Sequence, residues 1–196
     1  MDVEKIIINT EEGNLEVKRR DWGKVVPVVT EKHHILDMVM PEYVGSFKDV
    51  FLMEVISNLK ETKRKYNGLG LSAPQCGYMM RVFVIGYNNG EDSDIVCINP
   101  KLVGTDLEEV KMKEGCLSYV GLQLDIRRPK RIQVEYHDEE GRKVLQEFDG
   151  LTSRCFQHEL DHLNGIRFTS YVGRFALSLA KQKRNKIIKS ILRKKS

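Results

Sequence analysis

Two histidines four residues apart, with a glutamate directly after the first, stand at His158-Glu159-Leu160-Asp161-His162. On an α-helix four residues rise about 6 Å and return to nearly the same face, so both imidazoles can reach one metal ion. Glu159, one residue on, falls beside that ion rather than among its ligands. A carboxylate there can take a proton from an attacking water and hand it to a leaving group. A polar helix face would show the same spacing by accident, so a catalytic reading needs a third ligand. Residues 163–196 contain no His, Asp, Glu or Cys, and Phe168 stands where an extended H-E-x-x-H-x-x-G-x-x-H pattern needs its last histidine, although Gly165 fits. The third ligand is therefore expected upstream.

Upstream lie four cysteines, Cys76, Cys97, Cys116 and Cys155, without a C-x-x-C pair, expected to be thiols or metal ligands rather than a disulfide framework. Cys116 belongs to Glu114-Gly115-Cys116-Leu117-Ser118, between strand-like segments. Gly115 allows close backbone approach and Glu114 can accept a hydrogen bond from a metal ligand. Taken alone, a cysteine such as Cys116 is more often a small buried hydrophobe than a ligand. A second segment, Gly68-Leu69-Gly70-Leu71-Ser72-Ala73-Pro74-Gln75, offers glycines that let a bound chain come close and a Gln75 amide that can donate to a developing oxyanion. A plain helix-to-strand turn would have a similar composition.

The elements that must hold these residues follow from periodicity. Ser46 and Asp49 predict a helix start, and Val50, Met53, Ile56 and Leu59 form its apolar stripe up to Lys63-Arg64-Lys65. Short β-like runs follow at Arg81 to Ile85, Ile95 to Ile98, Leu122 to Ile126, Arg131 to Tyr136 and Lys143 to Phe148, the last two joined by a turn at Asp138-Glu139-Glu140-Gly141. The pattern returns to helix from Leu151 to about Asn164, with Gly165 to end it. A final helix is expected over about 173–195, with Phe175, Leu179, Ile187, Ile188, Ile191 and Leu192 as its apolar positions. The fold class is α+β, mostly antiparallel short strands around a central helix carrying the H-E-x-x-H motif, with a C-terminal helix. The length of 196 residues and the absence of a linker composition predict one domain over 1–196.

Three segments in order, GLGLSAPQ at 68–75, EGCLS at 114–118 and QHELDH at 157–162, resemble the motifs of the peptide deformylase family. Arg128-Pro129, the Tyr136-x-Asp138-x-x-Gly141 hairpin and Gly165 extend the resemblance over roughly residues 65–168. It implies that Cys116, His158 and His162 bind the metal and that Glu159 is the general acid and base. It further implies that Gln75 and the Leu117 backbone N–H face the substrate carbonyl, and that Leu69 and Gly70 take the peptide as an added strand. Leu151, Cys155 and the stem of Arg154 are implied walls of the methionine pocket. The implied reaction is hydrolysis of the N-formyl group from the N-terminal formylmethionine of new polypeptides, releasing formate. The implied metal is ferrous iron, with zinc, nickel or cobalt able to occupy a thiolate and two imidazoles. Two features depart from the family pattern: Ser72 replaces a small apolar residue, and Tyr119-Val120 replaces an apolar residue and a proline. His33 and His34, adjacent in sequence, are read as ordinary loop residues, and His137 as exposed.

Charge is unevenly spread. Residues 163–196 hold ten basic residues and no acidic one, leaving residues 1–162 with 22 basic against 28 acidic. Such a tail suits a polyanionic partner, and a substrate emerging from the ribosome makes ribosomal RNA the expected one. Met1 to Asn9 carries no basic region before an apolar run, and no stretch of about 18 apolar residues occurs, so a cytoplasmic protein without a membrane anchor is expected. Two other readings remain at this level: a zinc endopeptidase of the H-E-x-x-H type, disfavoured by the missing downstream ligand, and a catalytically silent ribosome-binding protein, disfavoured by the intact ligand set.

Overall fold

The computed structural model describes residues 5–10, 13–18, 23–86 and 94–195. In chain order these form β1 (Lys5–Thr10), β2 (Gly13–Lys18), α1 (Val50–Lys65), β3 (Gly70–Ser72), β4 (Val82–Ile85), β5 (Ile95–Thr105), β6 (Glu109–Gly115), β7 (Gln123–Pro129), β8 (Arg131–His137), β9 (Lys143–Asp149), α2 (Gly150–Leu163) and α3 (Arg174–Lys195). Every strand pairing among them is antiparallel. The main sheet has the order β3-β4-β5-β8-β9, and β1–β2 and β6–β7 form separate hairpins. The α+β class is as expected, with the H-E-x-x-H helix α2 at its centre.

The layering is set by the side-chain alternation of β4 and β5. Val82 and Val84, with Val96 and Ile98, pack on Leu52, Val55, Ile56 and Leu59 of α1. Phe83, Ile85 and Cys97 point the other way, into a core shared with Phe156 and Leu160 of α2. Successive strand residues face opposite sides, so one apolar run serves two helices. Phe83 and Phe156 meet edge to face at 5.1 Å. Leu124 and Ile126 of β7 add to the second core, so α2 runs between the main sheet and the β6–β7 hairpin. This enclosure buries the face that carries His158 and His162.

Caps fix the helix ends. Asp49, not Ser46, caps α1, its carboxylate accepting from Phe51 N at 2.8 Å. Asp149 caps α2, and the chain leaves that helix through Gly165 at φ +68°, where a Cβ would lie 2.6 Å from the Asp37 carbonyl oxygen. Glycine is required there by both conformation and space. Met40 N donates to Leu163 O at 2.8 Å, so the stretch before α1 wraps the end of α2.

Several expectations are corrected. Strands β1, β2, β3 and β6 were not anticipated, and β5 continues from Ile98 to Thr105. His33 and His34 are not plain loop: His34 opens a 3-10 turn to Asp37, which His33 caps by accepting from Ile35 N, and their rings stack at 4.8 Å. His137 is half-buried against Phe47 rather than exposed. Helix α3 does not bury its expected apolar stripe: Phe175, Leu179, Ile187, Ile188, Ile191 and Leu192 are exposed, and Leu177 and Ala180 make the packing contact. Lys63, read as part of a basic helix end, is fully buried and paired with Asp94 at 2.8 Å. No described helix is long and apolar enough to cross a membrane.

Candidate active site

Helix geometry does what the four-residue spacing requires. His158 and His162 present their rings on one face of α2, centroids 5.1 Å apart. Cys116, just beyond the end of β6, brings Sγ to 3.2 Å from His162 Nε2. The donor atoms of Cys116, His158 and His162 all lie within 4.8 Å of one another, and no other such group occurs among the described residues. The four cysteines are free thiols.

Charge at this triad is organised by Glu114. Its carboxylate accepts from Arg128 Nε at 2.8 Å and Nη2 at 3.1 Å, and from Arg154 Nη1 at 2.8 Å, and it faces His158 Nδ1 at 3.1 Å. Burial alone would raise the Glu114 carboxyl, but hydrogen bonds from His158 and Arg128 outweigh it and hold the group well below the usual carboxylate range. An anion so placed fixes the ring orientation of a ligating imidazole. Arg128 also donates to Asp161 at 2.7 Å and lies 4.4 Å from the centroid of the Tyr171 ring, whose hydroxyl donates to Asp161 at 3.1 Å. Arg154 reaches further, donating to Ile126 O at 3.0 Å and to Val110 O, so one guanidinium ties both strands of the β6–β7 hairpin to α2.

The donor set fits a divalent cation. Burial holds His162 well below its usual range, leaving a neutral imidazole with a lone pair to give. Burial would lower His158 too, yet hydrogen bonds with Cys116 and Glu114 raise it well above the usual range. One sulfur and two imidazole nitrogens suit zinc, iron, cobalt or nickel.

Glu159 is 3% exposed, and its Oε2 has no hydrogen-bond partner. Burial raises its carboxyl to about 7, the range a proton shuttle needs near neutrality. Gly70 makes room for it, since a Cβ there would sit 2.6 Å from Glu159 Oε1 and 2.7 Å from Cys155 Sγ. On the opposite wall Gln75 Nε2 donates to Cys116 Sγ and to Ser118 Oγ, each at 3.3 Å. A cavity of about 420 Å³ brings together Leu69, Gly70, Gln75, Cys116, Leu117, Leu151, Arg154, Cys155, His158 and Glu159. His162 lies behind it. A smaller recess of about 70 Å³, bounded by Leu69, Ile85, Gly86, Ile95, Leu151, Thr152 and Cys155, shares three residues with the cleft.

Arg154 is more than the apolar wall expected of its stem, because its head is bonded into the hairpin. Sequence spacing held a signal for it: Arg154, His158 and His162 follow at intervals of four on one helix face. Asp161, Tyr171 and Ser118 went unread. Ser72-x-x-Gln75 also has the form of a capping box, and Gln75 does reach back to Ser72 N at 3.0 Å. Of the departures, Tyr119 is buried edge to face on Phe168 at 5.1 Å, while Val120 is exposed.

A thiol, two imidazoles and a buried carboxylate converging on a cleft in an α+β fold define a metal-dependent hydrolase. Residues 25–176 match the polypeptide deformylase family, and the chain belongs to that family. The match extends beyond the motif-bearing stretch on both sides and ends near the start of α3. A peptide deformylase of Thermotoga maritima is 42% identical over 118 residues, covering 60% of this chain and 70% of that protein. The crystal structure of a Legionella pneumophila peptide deformylase superposes with a TM-score of 0.78 at 28% identity, over 87% of this chain and 99% of that one. A Met-Ala-Ser-bound peptide deformylase of Acinetobacter baumannii gives 0.71 at 28% identity, over 76% and 99%. The protein is an enzyme that removes the N-formyl group from the terminal formylmethionine of new polypeptides, releasing formate.

Proposed function

We propose that Cys116, His158 and His162 hold the metal, that Glu159 moves the proton, and that Gln75 and the Leu117 backbone N–H stabilise the oxyanion. The observation that carries this reading is convergence: the three donor atoms lie within 4.8 Å of one another, and Cys116, His158, Glu159 and Gln75 line one cleft. A divalent cation held there supplies Lewis acidity that makes water nucleophilic near neutral pH and polarises the formyl oxygen. Glu159 accepts the proton of the attacking water and returns it to the departing amine, so the formyl C–N bond breaks to give formate and a free amino terminus. Gln75 Nε2–H and Leu117 N–H donate to the oxygen as it gains charge.

Leu69 and Gly70 receive the peptide backbone as an added strand. In support, β3 is an edge of the main sheet, and both residues line the cleft. Leu151, Cys155 and the methylenes of Arg154 wall the methionine side chain. The Met-Ala-Ser held by the Acinetobacter relative is what removal of the formyl group from formyl-Met-Ala-Ser would leave, which supports a peptide beginning with methionine as the occupant here. Ferrous iron is the proposed metal, with zinc, nickel or cobalt as substitutes, and residues 1–196 are proposed to act as one unit in the cytoplasm. The basic α3 is proposed as a ribosome contact. Anaerobic purification with elemental analysis, then formate release from formyl-Met-Ala-Ser against cleavage of casein, tests the assignment. Formate release with iron bound and casein intact is expected; casein cleavage would overturn it.

A further inference from the structure

Ser72 is fully buried. A buried hydroxyl without an acceptor is costly, so its partner is informative. Ser72 ends β3 and precedes the 3-10 turn Ala73–Cys76, which puts Gln75 three residues on with its side chain folded back. Ser72 N and Ser72 Oγ both donate to Gln75 Oε1, each at 3.0 Å. The other end of that amide, Nε2, is thereby turned to Cys116 Sγ and Ser118 Oγ, into the cleft.

We infer that the Ser72 hydroxyl is a positioning residue for deformylation, acting through Gln75. The proposal rests on Gln75 being an oxyanion donor. Two donors on Oε1 do two things. They make the flipped amide unfavourable, since it would oppose Nε2 to the Ser72 N–H, and they withdraw electron density so that the Nε2 protons become stronger donors. A backbone N–H alone supplies half of this. The side chain adds the rest from a fully buried position that does not line the cleft. The same hydroxyl also lies within hydrogen-bonding reach of Glu159, so the test must separate the two routes.

Ser72→Ala is expected to lower kcat about five-fold, the loss of one neutral hydrogen bond, with KM and metal content unchanged. Ser72→Cys, close in size but a weak donor, falls between. In a Gln75→Ala background Ser72→Ala should cost nothing more. The Gln75 side-chain amide protons, followed by 15N-edited NMR, should move upfield in Ser72→Ala. A Ser72→Ala enzyme with full kcat, or one losing the same factor without Gln75, overturns the proposal, as does a Gln75 resonance that stays in place. The NMR arm needs no turnover. Absence of formate release by the parent enzyme with the resonance shift present would indict the reading of the site, not the Ser72–Gln75 bond.

Discussion

On the proposed assignment, catalysis depends on which way two side chains point. Gln75 Oε1 accepts from Ser72 N and Ser72 Oγ, and its Nε2 is turned to the cleft. Removing one oxyanion donor typically costs roughly 10²–10³ in rate. Gln75→Ala is therefore expected to lose kcat on that scale while elemental analysis finds the metal retained. Glu159 must be a carboxylate to accept a proton. Burial raises it to about 7, and a cation held at the neighbouring triad, being positive, pulls that value down. Hence kcat/KM should rise with pH through a limb centred at or below about 7, because the deprotonated form is the active base. Glu159→Gln should bind metal, lose most activity and show a flat residual rate across that range; a limb persisting in it would belong to another group. Glu159 was legible in the sequence because H-E-x-x-H fixes its place beside two histidines, and Gln75 because its segment stands in order with two other motifs. The Ser72 hydroxyl was visible only as a departure, since its partner is decided by a turn that places Gln75 back over the strand.

At the scale of elements, the proposed metal triad is split between α2 and the β6–β7 hairpin, and something must hold the two together. Arg154 does so through Glu114, Ile126 O and Val110 O. Glu114, depressed far below an ordinary carboxylate, keeps its charge as pH falls: its contribution is present above the unfolded value and is lost only when pH drops through the folded one. Arg154→Met keeps an unbranched apolar stem but loses the clamp. The expected result is a metal dissociation constant raised roughly 10–100-fold, followed by cobalt titration, with KM for formyl-Met-Ala-Ser unchanged at saturating metal. A raised KM with unchanged metal affinity would return Arg154 to the role of pocket wall. Helices α1 and α2 could be read from their 3.6-residue periodicity because each buries a continuous face. Strand β6 could not: Glu109-Val110-Lys111-Met112-Lys113 is mostly exposed, and pairing with β7 rather than apolar content makes it a strand. Strand β3 has only three residues and exists through its register with β4, which no local pattern contains.

For the molecule as a whole, the charge split coincides with a structural one. Helix α3 is pinned to the body by Leu177, Ala180 and the Arg184–Glu31 ion pair at 2.7 Å, and from Asn185 to Arg193 every residue is exposed. Net charge told of a basic tail but not where its attachment ends. The family match stops at residue 176, so catalysis and the exposed half of α3 are separable in sequence as well. The exposed half carries Lys186, Lys189 and Arg193 alongside Ile187, Ile188, Ile191 and Leu192, a basic face beside an uncovered apolar one. Counterion release makes binding of such a helix to ribosomal RNA fall steeply with salt, and each lost phosphate contact removes about one unit from the slope of log K against log salt, about 0.7 for single strands. Truncation after Asn185 should leave kcat and KM on free formyl-Met-Ala-Ser unchanged, since no residue of the cleft or the pinning contacts is removed. The same truncation should weaken sedimentation with ribosomes at low salt and flatten its salt dependence. Ribosome binding that survives truncation unchanged would place the contact on the body and overturn the assignment to the exposed half of α3.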